Sequence, residues 1–137
     1  MQVWEIRRVQ ARKFAEWGEV LKNSGQIEGA FYLFHMSVEL LMKAAIARRH
    51  GGWHPTDPDS HILIRLVSNS RTQFIFADMA DDQNTNVHFQ FVQLNSQNKA
   101  WRMQYRYEGT KLGAQEMAKS VEIYGEIFGW IQKNYMH

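Results

Sequence analysis

Apolar residues recur along this chain mostly at helical spacing, and the width of the apolar face differs from one segment to the next. Val3, Ile6, Val9, Phe14, Trp17 and Leu21 approximate one stripe, which predicts an amphipathic helix over about Gln2 to Lys22. Asn23-Ser24-Gly25 then breaks the pattern, with Gly25 suited to cap the helix. From Gln26 to His50 the apolar positions widen into two ridges. Ile27, Phe31, Phe34, Val38, Leu41 and Ala45 make one, and Ala30, Leu33, Leu40, Ala44 and Ala47 make the other. Only Glu28, Tyr32, Glu39 and Lys43 mark a polar side. A helix apolar nearly all the way round needs neighbours on several sides, so this one is expected at the centre of a bundle. Glu39 and Lys43 have the spacing and order of a surface i,i+4 pair, worth about 0.2–0.5 kcal/mol.

Gly51-Gly52 ends the second helix, and Trp53 to Ser60 reads as a loop. Asp57-Pro58 has the form of an N-cap followed by proline in the first helical position, opening a third helix with Ile62, Leu63, Leu66 and Val67. Between Ser68 and Asn98 two periods compete. Val87, Phe91 and Leu94 fit a helix, whereas Val87 to Phe91 also alternates like a strand that Thr72 to Ala77 could pair with. Helix is preferred, because a lone hairpin on a helical bundle is marginal; a hairpin insertion around residues 72–94 stands as the alternative. The last helix is expected over about Leu112 to Asn134, with Met117, Val121, Tyr124, Phe128, Ile131 and Tyr135 on one face. Gly125 and Gly129 inside it suggest a close helix approach or a self-association face. The expected fold is all-α, an up-down bundle of four to five helices in a single domain spanning 1–137.

Composition narrows the function classes. The chain has no cysteine, which excludes a disulfide framework and thiolate metal sites and suits a reducing cytoplasm. No stretch of the sequence reads as the roughly 20 apolar residues of a membrane span, and Met1 to Gln10 has no apolar signal-peptide core. The expectation is a cytoplasmic protein with no membrane association. A formal charge of +2 falls short of a dedicated duplex-DNA binder. Arg7, Arg8, Arg12 and Lys13 nevertheless cluster on the first helix, and Arg48 and Arg49 end the second. Their simplest reading is a solvated face together with complementation of a helix C-terminus.

Three segments carry a family likeness. Ala30 to Ala45 leads from an aromatic-rich start into Glu39-x-x-x-Lys43-Ala44; Ser60-His61-Ile62-Leu63-Ile64-Arg65-Leu66 follows; Arg106-Tyr107 with Thr110 precedes the last helix. In order and spacing these resemble the HEPN (higher eukaryotes and prokaryotes nucleotide-binding) family, across about Ala11 to Tyr135. The resemblance implies a helical bundle, commonly a homodimer. It also implies one of three roles: ribonuclease, partner of a small nucleotidyltransferase, or nucleotide binder. The family ribonucleases carry Arg-x(4 to 6)-His near the start of a late helix. Here Arg102 and Arg106 occur from Trp101 onward with no histidine before His137, so the motif is missing from its expected place and no catalytic residue is assigned. Arg49 and His54 have a similar spacing, but across the glycine break.

The remaining candidates are weighed by their chemistry. Trp101 to Tyr107 interleaves cations with aromatics, which suits phosphate gripping and base stacking. Arg102, Arg106 and Tyr107, with Lys43 and His61, are therefore the candidate anion-binding residues. His50, His54 and His61 match no strong metal motif, so no metal or cofactor is expected. His54 and His61 are the candidate acid/base groups if the chain is a divergent ribonuclease. The leading expectation is a non-catalytic nucleotide- or RNA-related binding or partner module. A protein-interaction domain with no small ligand, dimerising through Gly125 and Gly129, is the third reading.

Overall fold

The computed structural model describes residues 1–97 and 113–137. Among these residues the regular structure is entirely helical: α1 (Val3–Asn23), α2 (Ile27–His50), α3 (Leu63–Leu66), α4 (Phe74–Asp81), α5 (Val87–Gln97) and α6 (Ala114–Tyr135). The helical bundle is as expected, with six helices among the described residues rather than four to five.

The ends of the first two helices follow local chemistry. Gly25 and Gly51 take φ of 76° and 74°, left-handed values that cost a residue with a Cβ far more than glycine. The backbone N–H of Gln26 returns to the Leu21 carbonyl at 2.8 Å, so the chain reverses tightly into α2. α1 and α2 are antiparallel: Trp4 lies by Arg48, Gly18 by Phe34 and Leu21 by Gly29. α6 lies against α2 and runs parallel to it, with Tyr124 by His35 and the Tyr135 carbonyl by Arg48. α5 packs against α6, and α4 packs on α5 through Phe76 and Phe91.

The core confirms α2 as the central element. Fourteen of its residues are buried, including Phe31, Phe34, Val38, Leu41, Met42 and Ile46. By length and composition α2 would also cross a membrane, contrary to the expectation that no stretch comes near one, but it is mostly buried inside the bundle. On α6 the expected face is right, with Met117, Val121, Tyr124 and Ile131 all buried.

Four expectations are decided by the structure. First, most of the apolar stripe of α1 does not face the core, although Leu21 packs against it. Val3, Ile6, Val9 and Trp17 are exposed, and the helix buries Ala11 and Gly18 instead. Small residues let the two backbones approach, and large ones on that side would hold them apart. A Cβ on Gly18 would stand 2.9 Å from the Phe34 ring. Second, Asp57 and Pro58 do not open a helix; α3 begins only at Leu63, because the Asp57 carboxylate is committed to His54 and Arg71. Third, the preferred helical reading of residues 72–94 holds and the alternative hairpin does not form: α4, a turn and α5 occupy that stretch, since Ile75, Met79, Val87, Phe91 and Leu94 all reach one core at helical spacing. Fourth, Glu39 and Lys43 are not a surface pair. They are 2 % and 7 % exposed, because the loop after α2 folds back over them.

Among the described residues nothing lies within 4 Å of a Cβ position on Gly125 or Gly129, so no close helix approach among those residues requires either glycine. Gly129→Ala is therefore expected to stabilise the protein by about 1 kcal/mol, the helix-interior cost of glycine. Gly18→Ala is expected to destabilise it by about 1–3 kcal/mol through the overpacked Phe34 ring. Urea unfolding of both variants checks this pair, and effects of the same sign would contradict it.

Candidate functional site

Two constellations stand out, one buried and polar, the other basic and partly open. The first begins with Glu39, held in the middle of α2 where the helix is otherwise apolar. Its Oε2 accepts from Lys43 Nζ at 3.2 Å, and its Oε1 lies 2.8 Å from His61 Nδ1. Lys43 also donates to Asp59 Oδ1 at 2.7 Å. A second chain of contacts meets this one at His61. The His35 Nε2 lies 2.7 Å from the His61 carbonyl, and His35 Nδ1 lies 2.6 Å from the Tyr124 hydroxyl. A carbonyl only accepts, so Nε2 carries the proton, and in the neutral ring Nδ1 accepts from Tyr124. α2, the loop before α3, and α6 are thus joined by buried hydrogen bonds. Lone buried charges are costly, and pairing within this set offsets that cost.

This arrangement gives two of the sequence candidates their partners. Lys43 has both a helix and a loop carboxylate as partners, so its ammonium is taken. His61 keeps a third of its side chain open, at 34 %, with Nδ1 held by Glu39. The other histidines do not converge with it: His50 Nε2 bonds the Arg71 carbonyl, and His54 Nδ1 bonds Thr56. Among the described residues no three His, Asp or Glu side chains gather as a metal site would require. Arg102, Arg106 and Tyr107 lie outside the described residues.

Two carboxylates in the loop are held below the usual range. For Asp57 the main cause is its hydrogen bond from Arg71, and for Asp59 the hydrogen bond from Lys43. Their charged forms are thus favoured in the folded state. Their contribution to stability is complete above the ordinary carboxylate pKa, near about 4, and is lost as pH falls through the lowered values. Stability is expected to drop on acidification below about pH 4, with a shallower drop in Asp57→Asn. Denaturant midpoints measured against pH check this; an unchanged slope in the variant would contradict it.

The second constellation lies where α1 begins and α2 ends. Because the two helices are antiparallel, the basic half of α1 meets the basic end of α2. The guanidinium carbons of Arg8 and Arg48 sit 5.3 Å and 4.6 Å from the Trp4 ring centre, and that of Arg7 sits 4.7 Å from Trp53. Arg49 lies over Phe74 at 4.5 Å. Flat cations over aromatic faces are attracted by the ring quadrupole. Carboxylates are sorted unevenly here. Among the described residues Lys43 and Arg71 form ion pairs, while Arg7, Arg8, Arg48 and Arg49 form none. Arg48 donates instead to the carbonyls of Tyr135 and His137. Arg7 Nη1 and Arg8 Nε are buried without any hydrogen-bond partner. Burial lowers the Arg7 pKa, and the negative charge of Asp59 opposes that shift. An arginine stays charged regardless, so its unmet N–H groups are a standing demand for an acceptor.

Sequence reasoning placed the candidate ligand contacts on Arg102, Arg106, Tyr107, Lys43 and His61 and not at this end of the bundle. The signal for this end was present in the two arginine clusters, but their meeting depends on the antiparallel pairing of α1 and α2. Trp4 and Trp53 gave no local sign that they would carry arginines.

A groove of about 700 Å³ is lined by Asp82, Asn86, Gln90, Glu126, Trp130 and Lys133 among others. Trp130 Nε1 donates to Asp82 at 2.7 Å, and this bond chiefly holds the Asp82 carboxyl below its usual range. Its carboxylates disfavour an anion there.

No family model matches the chain, and no curated protein or solved structure shows significant similarity to it.

Proposed function

We propose that this chain is a non-catalytic, HEPN-type helical module that binds the phosphate of a nucleotide or RNA at the basic end formed by α1 and α2. One observation carries the reading: Arg7 and Arg8 are stacked on tryptophan and have buried N–H groups with no acceptor. Phosphate oxygens are strong acceptors for guanidinium N–H groups, and a flanking indole offers a base a stacking surface. Arg102, Arg106 and Tyr107 remain candidate contacts by their sequence pattern. Lys43 and His61 act instead as parts of the scaffold. In this reading the protein works as a homodimer in the cytoplasm, alone or with a nucleotidyltransferase.

Screening thermal stability against nucleotides and short RNA tests the proposal. A ligand that binds only the folded state adds about 2.7 kcal/mol at 100 times its Kd. A saturable rise in Tm is expected, and Arg7→Ala with Arg8→Ala should remove it. A rise unaffected by those changes would move the site, with Arg102→Ala and Arg106→Ala the next variants to examine. A flat screen would favour a protein-interaction domain.

One further geometry favours a second reading. Glu39 holds His61 Nδ1 at 2.8 Å in a partly open position, an arrangement that fixes an imidazole for acid/base work. A divergent ribonuclease using His61 would cleave RNA without metal and lose that activity in His61→Ala. No cleavage above a mock purification would end this reading.

A further inference from the structure

We infer that the outward face of α1 is a self-complementary surface on which a second copy of this chain docks antiparallel. The evidence is the stripe that fails to enter the core. Ile6, Val9, Trp17 and Val20 are 44 %, 41 %, 53 % and 61 % exposed, and exposed Lys13 sits between them. The steps from Ile6 through Val9, Lys13 and Trp17 to Val20 are three, four, four and three. That series reads the same from either end, with Lys13 at its centre. A twofold axis through Lys13 therefore sets Ile6 against Val20 of the second copy and Val9 against its Trp17. Such mutual pairing, residue i on j and j on i, is what an isologous twofold interface requires.

Charge selects the same direction. Arg12 and Lys13 are exposed in the first half of α1, while Glu16 and Glu19 are exposed in the second; exposed Lys22, nine positions from Lys13, lies on the opposite side of the helix. Antiparallel docking lays the basic half of one copy along the acidic half of the other; parallel docking would oppose like charges. The two Lys13 side chains meet at the axis, each within reach of Glu16 of the other copy. Their long stems cover apolar surface while the ammonium groups stay in water. Arg7 and Arg8 turn toward Trp53 and Trp4 instead, so docking through this stripe leaves the basic end open on both copies. One helix face buries less than the roughly 800 Å² per partner of a standard stable interface, so the dimer is weak and reversible. The surface reading is independent of what the basic end binds, because the test uses protein alone.

Sedimentation across a concentration series is the first measurement. Wild type is expected to pass from monomer to dimer, and Val20→Glu to remain monomeric with unchanged helicity; Val20 is exposed, so this change does not enter the core. Because the chain has no cysteine, Lys13→Cys and Gly129→Cys each supply a single thiol. A short bis-maleimide is expected to join Lys13→Cys into a covalent dimer and to leave Gly129→Cys monomeric. A wild type that stays monomeric throughout, a dimer that survives Val20→Glu, or cross-linking at position 129 in place of position 13 would overturn the inference.

Discussion

Glu39→Ala is expected to cost about 3–5 kcal/mol of stability, the cost of breaking a buried ion pair by removing one partner. For a domain of this size that lowers Tm by on the order of 10 °C or more. The reason is positional. Glu39 is 2 % exposed, and it accepts from Lys43 with one oxygen while meeting His61 with the other. Without it, Lys43 keeps only the exposed Asp59, and the loop before α3 loses the His61 contact, one of its anchors on α2. The double change Glu39→Leu with Lys43→Met should recover most of the loss, since apolar residues of similar volume often replace a buried pair with little penalty. Chemical denaturation of the single and double variants measures this directly. A single variant within about 0.5 kcal/mol of wild type, the range of ordinary surface substitutions, would show that the pair is not buried in solution.

The second large effect is expected at Tyr124. Its side chain is fully buried, packs edge-on against Phe31 at 5.7 Å and His35 at 5.4 Å, and bonds His35 through its hydroxyl. Tyr124→Ala should lose about 3–5 kcal/mol from the aromatic cavity alone, with a further loss for the imidazole nitrogen left without this partner. Tyr124→Phe keeps the packing and removes the hydroxyl, so it should lose only about 1–3 kcal/mol. Equal losses in the two variants would mean that the hydroxyl, not the ring, holds α6 to α2. A loss confined to Tyr124→Ala would mean that the His35 bond adds nothing.

These residues show where sequence reasoning reached and where it stopped. The central place of α2 was legible because a helix apolar on nearly every side, set among amphipathic helices, is satisfied when those helices surround it. The face of α6 was legible for the same reason, since Met117, Val121, Tyr124 and Ile131 share one period. α1 misled because its large apolar residues suggested an inward face, whereas Ala11 and Gly18 carry the contact. Hydrophobic periodicity measures side-chain character and is blind to how closely two backbones can approach. Glu39 and Lys43 misled differently. Their spacing is the same on an open surface and under a loop, and the covering residues Asp59 and His61 lie 16 and 22 positions beyond their partners. The basic end was half legible: its arginines were visible as two clusters, but their joint placement needed the α1–α2 reversal at Gly25.

The central claim is that Arg7 and Arg8 contact phosphate. The most direct test is the salt dependence of binding to a short single-stranded RNA, followed by fluorescence anisotropy for wild type and for Arg7→Ala/Arg8→Ala. Each phosphate neutralised on a single strand contributes about 0.7 to the slope of log affinity against log salt. The account predicts measurable wild-type binding with a slope that falls by about 1.4 in the double variant, because two phosphates then keep their counterions. Identical slopes, or no binding by wild type at low salt, would contradict it.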